Sequence, residues 1–182
     1  KMVRVDNTTI ETHFALGNLF RKRGEVNRAI RIHQNIIARP DILNIQRNQA
    51  FYSLAKDYLH AGLLDRAEIL LKRLTDNSQY KLEALESLVN IYEQEKEWQK
   101  SIDTSKMLSK ISKKSLDLQI SHYVCELAEI AIEKRNYDEA DNLISSLNRI
   151  KNKTLRCDLV RARIAISVGN KKLAITIYQM II

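Results

Sequence analysis

Apolar and polar positions recur in this chain with the period of a helix, and they come in pairs of helices. From Ala50 to Leu74, AFYSLAKDYLHAGLLDRAEILLKRL, apolar or small residues stand at Phe51, Leu54, Ala55 and Tyr58, and again at Ala67, Leu70, Leu71 and Leu74. Each set follows the i, i+3, i+4, i+7 spacing of one helix face. Gly62 separates them, where a left-handed residue can end a helix, and Asp65 puts a carboxylate near the start of the second, where the helix dipole favours it. Ala55 and Ala67 supply the small side chains that two closely crossing helices need. The stretch predicts a helix, a tight turn and an antiparallel helix.

The same unit repeats along the chain. Unit one, residues 10–41, puts Leu16, Gly17 and Phe20 on the inner face of its first helix, Gly24 at the turn, and Ala29, Ile30, His33 and Ile36 facing back, with Pro40 ending the second helix. Unit two spans residues 48–80 and contains the stretch above. Unit three, 82–115, carries Leu85, Leu88, Val89 and Tyr92, then Trp98 and Ser101; Lys96 replaces its turn glycine, so that turn is expected to be made differently or under slight strain. Unit four, 121–153, carries Val124, Leu127, Ala128 and Ala131, then Tyr137, Ala140, Ile144 and Leu147. Unit five, 155–182, has the weakest pattern, because Asp158 and Arg161 stand where the others are apolar.

The small residues Ala29, Ala67, Ser101, Ala140 and Ala174 mark periods of 38, 34, 39 and 34 residues. The excess over 34 is assigned to longer links around Pro40–Asn44 and Ser112–Ser115. Residues 1–9 read as a partial repeat: the last turn of an earlier second helix, followed by the polar link Asp6-Asn7-Thr8-Thr9. These periods predict an all-α fold, a right-handed tetratricopeptide-repeat solenoid of antiparallel helix pairs forming a single array. Such arrays normally end on polar faces, whereas this sequence begins and ends on apolar ones. It is therefore expected to be an excerpt of a longer protein, and a homodimer through these ends is left open.

Composition narrows the picture. Only four Gly and one Pro in 182 residues leave few places to turn and exclude a β-rich fold. The two cysteines, Cys125 and Cys157, lack CxxC spacing and read as buried free thiols of a reducing compartment, with neither a disulfide framework nor a metal site. No run of 18 apolar residues and no signal-peptide pattern occurs, so this portion is expected to be soluble. The net charge of +8 is uneven: residues 1–41 carry 8 basic and 4 acidic groups, 42–80 carry 5 and 4, 81–120 carry 7 and 7, and 121–182 carry 10 and 7. Acidic partners or an anionic surface near the ends, and simply solvated faces, both fit.

No nucleophile–base pair, phosphate-binding glycine loop or metal-ligand cluster is present, and His13, His33, His60 and His122 are scattered without catalytic partners. An enzyme is not expected, and there are no catalytic residues to name. Function is placed instead on the concave groove lined by the first helices of the units. The positions predicted to point into it are Phe14, Asn18 and Arg21; Tyr52, Lys56 and His60; Glu86, Asn90 and Glu93; Cys125, Glu129 and Glu133 with Glu126 alongside; and Arg156, Leu159 and Arg163. Such a groove is aromatic and basic at its start, acidic in the middle and basic at its end. It suits a mixed-charge peptide or helix whose apolar side chains meet Phe14 and Tyr52. A nucleic-acid strand would need a continuous basic path, which this alternation of sign denies it.

Several segments exceed what a repeat consensus demands. VDNTTIETHFALGNLFRKRGEVNRAIRIHQ, Val5 to Gln34, resembles the opening of the repeat domain of the lipopolysaccharide assembly protein B family, and AGLLDRAE (Ala61 to Glu68), EWQKSID (Glu97 to Asp103) and HYVCELA (His122 to Ala128) continue the resemblance in order. It covers most of the chain and thins from Asn148 onward. The resemblance implies a bacterial inner-membrane protein with one amino-terminal anchor, a repeat domain on the cytoplasmic side and a carboxy-terminal rubredoxin-like domain holding iron or zinc through paired CxxC motifs. It further implies an adaptor that limits lipid A synthesis by promoting degradation of the UDP-acyl-GlcNAc deacetylase by the membrane-anchored AAA+ protease, under restraint by another inner-membrane protein. This sequence lacks both the anchor and the cysteine pairs, and Cys125 and Cys157 do not stand in for the metal ligands. A general peptide-binding scaffold or co-chaperone with other clients is the alternative reading.

Overall fold

A computed structural model describes residues 2–76, 79–149 and 154–181, and all regular structure among them is helical. In chain order the α-helices are α1 (Met2–Lys22), α2 (Val26–Ile37), α3 (Asn44–His60), α4 (Leu64–Leu74), α5 (Lys81–Gln94), α6 (Trp98–Ser112), α7 (Asp117–Glu133), α8 (Tyr137–Ser146), α9 (Leu155–Ser167) and α10 (Lys171–Ile181), with one 3-10 turn at Leu147–Arg149. The chain forms two compact units, residues 1–91 and 92–182. In the first, α1 packs on α2, α2 on α3 and α3 on α4; in the second, α6 packs on α7, α7 on α8 and α9, and α9 on α10. Among the described residues no helix is long and apolar enough to cross a membrane.

The five helical turns share one hydrogen-bond signature. The N–H groups of Glu25, Leu63, Glu97, Asn136 and Asn170 bond the carbonyls of Phe20, Tyr58, Tyr92, Ala131 and Ala165, at 2.8–2.9 Å. This six-to-one closure requires a left-handed residue just before the donor. Glycine fills that place in three turns, at Gly24, Gly62 and Gly169, whereas Lys96 (φ 57°) and Arg135 (φ 59°) fill it in the other two. Unit three thus makes the same turn as its neighbours, at a conformational cost of about 1–2 kcal/mol for a residue bearing a Cβ.

The recurring small residues all lie inside the helix packing. Ala29, Ala67, Ser101 and Ala140 are wholly buried, and Ala174 nearly so. Three features differ from the sequence expectation. α1 runs unbroken through Asp6–Thr9, where a polar link between repeats is expected; nothing in that segment is Gly or Pro, and no breaker interrupts the helix. The residues in excess of the 34-residue period lengthen helices more than links. α3 begins at Asn44, six residues before the predicted stretch, and α6 and α7 have 15 and 17 residues against 11 in α4. Finally, the inner stripe of α1 is rotated: Ile10, Phe14 and Gly17 are buried while Leu16 is 40% exposed. The join between units four and five at residues 150–153, and Ile182, lie outside the described residues.

Candidate functional site

The rotation of α1 decides the fate of the first three predicted groove residues. Phe14 does not face a groove: it is 4% exposed and packs in a core with Ile10, Ile36, Ile42 and Ala50. Gly17 lies against the ring of His33, and a Cβ built there would stand 2.6 Å from Nε2. Only glycine lets helix α2 place an imidazole in that space. The ring in turn sits 6.1 Å from that of Phe14, so one imidazole meets both Phe14 and Gly17 on the buried face of α1.

Arg21 and Asn18 are likewise taken up internally. The Arg21 guanidinium, 9% exposed, donates to Asp57 Oδ1 at 2.7 Å, to the Ser53 carbonyl at 3.1 Å and to Asn18 Oδ1 at 2.5 Å. The other oxygen of Asp57 lies 2.5 Å from His33 Nδ1, and both of those side chains are fully buried. The apolar pattern of α3 does not single out Asp57. Its signal is a carboxylate one position before Tyr58 on the apolar side of α3: an acid there requires a buried cation and hydrogen-bond donors, and Arg21 and His33 provide them.

The other predicted residues of the first unit lie on α3 and α5, with Tyr52 and Lys56 half-buried. Tyr52 stacks on Tyr80 at 4.8 Å, Lys56 Nζ lies 5.4 Å over the Tyr52 ring, and His60 is exposed, its Nδ1 against the Lys56 carbonyl at 2.8 Å. Glu86 and Asn90 are also exposed. Burial, followed by the charges of Glu83 and Glu86, raises the pKa of the Tyr52 phenol, which stays a neutral donor and acceptor. The patch combines an aromatic face, a cation and carboxylates within reach of one another.

In the second unit the predicted charges largely pair off. Glu93 accepts a short hydrogen bond from the Tyr123 hydroxyl, and Tyr123, fully buried and stacked on Trp98, is held well above the usual phenol range by burial and by that carboxylate. Arg156 donates to Glu126 at 2.6 Å and to Glu129 at 2.9 Å, with His122 Nδ1 at 3.0 Å. The hydrogen bond to Glu129 raises the Arg156 pKa against the opposing effect of burial. The expected acidic middle and basic end therefore cancel at this point. Glu133 and Arg163 stay exposed. A cavity of about 380 Å³ opens beside the pair, lined by Glu129, Arg156, Leu159, Val160, Arg163 and Tyr178. Tyr178 is 39% exposed there.

Cys125 does not point into a groove. It is fully buried, with its thiol 3.3 Å from that of Cys157, and burial followed by that neighbour pushes its pKa far up. The two thiols face each other between α7 and α9 and do not form the paired-cysteine set that an iron or zinc centre takes. Among the described residues no group of three His, Cys, Asp or Glu side chains could hold a metal ion.

The tetratricopeptide repeat family model matches residues 12–41. Over 181 residues, the whole of this chain and 46% of the relative, the sequence is 37% identical to lipopolysaccharide assembly protein B of Escherichia coli strain K12. To the protein of the same name from Haemophilus influenzae strain Rd it is 31% identical over 176 residues, 97% of this chain and 44% of the relative. The chain thus spans less than half the length of these curated relatives. Among solved structures, MamA superposes with a TM-score of 0.55 at 18% identity, covering 96% of this chain and 91% of MamA. A tetratricopeptide repeat protein from Parabacteroides merdae gives the same TM-score at 16% identity, covering 96% of this chain and 66% of its own. These likenesses establish the tetratricopeptide-repeat fold.

Proposed function

We infer the function from one premise, that this chain is a tetratricopeptide-repeat homologue of lipopolysaccharide assembly protein B. It is a protein-binding scaffold, without catalysis of its own, that acts in lipopolysaccharide assembly on the cytoplasmic side of the bacterial inner membrane. Its role is that of an adaptor: it brings the UDP-acyl-GlcNAc deacetylase to the membrane AAA+ protease and so limits lipid A synthesis, under an inner-membrane regulator. The observation that carries this reading is sequence identity over the whole chain rather than over the repeat consensus alone. The accessible residues that support partner binding are Tyr52, Lys56, His60, Glu86 and Asn90 in the first unit, and Arg163 with the adjoining cavity in the second.

The deciding measurement is the half-life of the deacetylase in cells with and without the full-length protein. A longer half-life in its absence is expected, and an unchanged one rules the adaptor role out. Pull-downs with Tyr52→Ala and Arg163→Glu then locate the contact. An unchanged half-life together with Tyr52-dependent capture of a different client would favour the general scaffold.

A further inference from the structure

The sequence average hides one segregated patch. Residues 81–120 carry 7 basic and 7 acidic groups, yet the cations of the last part lie together. Lys106, Lys110, Lys113 and Lys114, from the outer face of α6 and the link behind it, are all exposed. Among the described residues no carboxylate pairs with any of them. The nearest acids in sequence are Asp103, which takes the Gln99 amide at 3.2 Å, and Asp117, half-buried in the first turn of α7. Three apolar side chains close to them in sequence are also exposed: Met107 at 52% and Ile111 at 41% on the same helix, and Leu118 at 56% at the start of α7.

Helical geometry aligns these residues. Lys106 and Lys110 are one turn apart, as are Met107 and Ile111, so a basic row and an apolar row run side by side along about 6 Å of helix. The link then holds the remaining members against the end of α6. Ser109 Oγ bonds the Lys114 carbonyl at 2.7 Å, the Lys114 N–H meets Ser112 Oγ at 3.3 Å, and the Asp117 N–H meets Ser115 Oγ at 3.3 Å. Lys113 caps α6 in the left-handed region, at φ 56°. The inner face of the same helix buries Ile102, Ser105 and Leu108, so packing of α6 does not call for the outer apolar residues.

We propose that this edge of the second unit docks on the headgroup surface of an anionic lipid bilayer. Lysines flanking exposed apolar side chains match such a surface on both counts. The ammonium groups meet the lipid phosphates, while methionine, isoleucine and leucine enter the boundary between headgroups and acyl chains. A nucleic acid would use the lysines and leave the three apolar side chains in water.

The test is co-sedimentation of the 182-residue chain with vesicles of phosphatidylethanolamine, with and without phosphatidylglycerol. Binding is expected only to the vesicles containing phosphatidylglycerol. The triple variant Lys110→Gln/Lys113→Gln/Lys114→Gln should bind about a hundredfold more weakly, and Met107→Ser/Ile111→Ser/Leu118→Ser about tenfold or more. A control with the same net charge, Lys134→Gln/Lys171→Gln/Lys172→Gln, should bind as the parent chain does; every substituted residue is exposed, and circular dichroism checks that each variant is folded. Equal loss in the control would reduce the effect to net charge and overturn the proposal. So would binding that ignores the apolar substitutions, or a parent chain that leaves the vesicles in suspension while retaining duplex RNA or an acidic polypeptide.

Discussion

The two compact units each hold an arginine between carboxylates or amide oxygens, and they do it at different depths. In the first, Arg21, Asp57 and His33 form a network with side-chain exposures of 9%, 0% and 0%. In the second, Arg156 at 33% exposure is gripped by Glu126 and Glu129 at 26% and 29%. The distances are alike, but the surroundings are not. A charge pair in a dry interior cannot lose a member without stranding the other, whereas one at the rim can turn to water. The first network therefore specifies how α1, α2 and α3 fit together, and the second leaves a cavity wall that a partner can compete for.

Asp57→Ala should strain this contrast hardest. It leaves a guanidinium and an imidazole buried without their acceptor, and urea denaturation should register a loss of about 3–5 kcal/mol. A loss under about 1 kcal/mol would put the buried network on a level with the rim pair. Gly17→Ala probes the same site from the packing side. Its new methyl would press on a fully buried ring, and thermal melting should show a cost of about 1–3 kcal/mol. The turns offer a comparison of opposite sign: Lys96→Gly should stabilise the fold by about 1 kcal/mol by releasing a left-handed side chain, and Gly62→Lys should cost a similar amount. At the rim, Arg156→Ala should cost no more than about 1 kcal/mol, with the difference shrinking in high salt. A larger, salt-insensitive loss would make the second unit resemble the first.

Much of the fold was legible because it rests on local signals. The alanine and serine series and the glycine turns depend on spacing alone, and all five small residues are buried. Phe14 and Leu16 show where spacing stops being enough. Both are apolar and two positions apart, so either could lead the inner stripe of α1. The choice fell to contacts with another helix, the fit of Gly17 on His33 and the reach of Arg21 to Asp57. The pairing of the groove charges is hidden from the sequence for a related reason. The sequence gives the sign of Glu126, Glu129 and Arg156 but not the register that brings residues about 30 positions apart within hydrogen-bond distance. On α3, beside its buried stripe, His60 is exposed while Tyr52 and Lys56 are half-buried, a gradation that apolar spacing alone does not give.

The fit of Gly17 on His33 also bears on how this repeat can change over time. Sixteen positions separate the two residues, and the same interval joins Ala55 to Leu71 and Ala128 to Ile144. Where the later residue is aliphatic, the earlier one carries a methyl; where it is the imidazole, the earlier one carries none. Histidine at 33 is thus an epistatic commitment: it penalises alanine at 17, and its own replacement would leave Asp57 without one of its two partners. The first repeat, residues 10–41, can approach the pattern of the others only if Gly17, His33 and Asp57, on three different helices, change together.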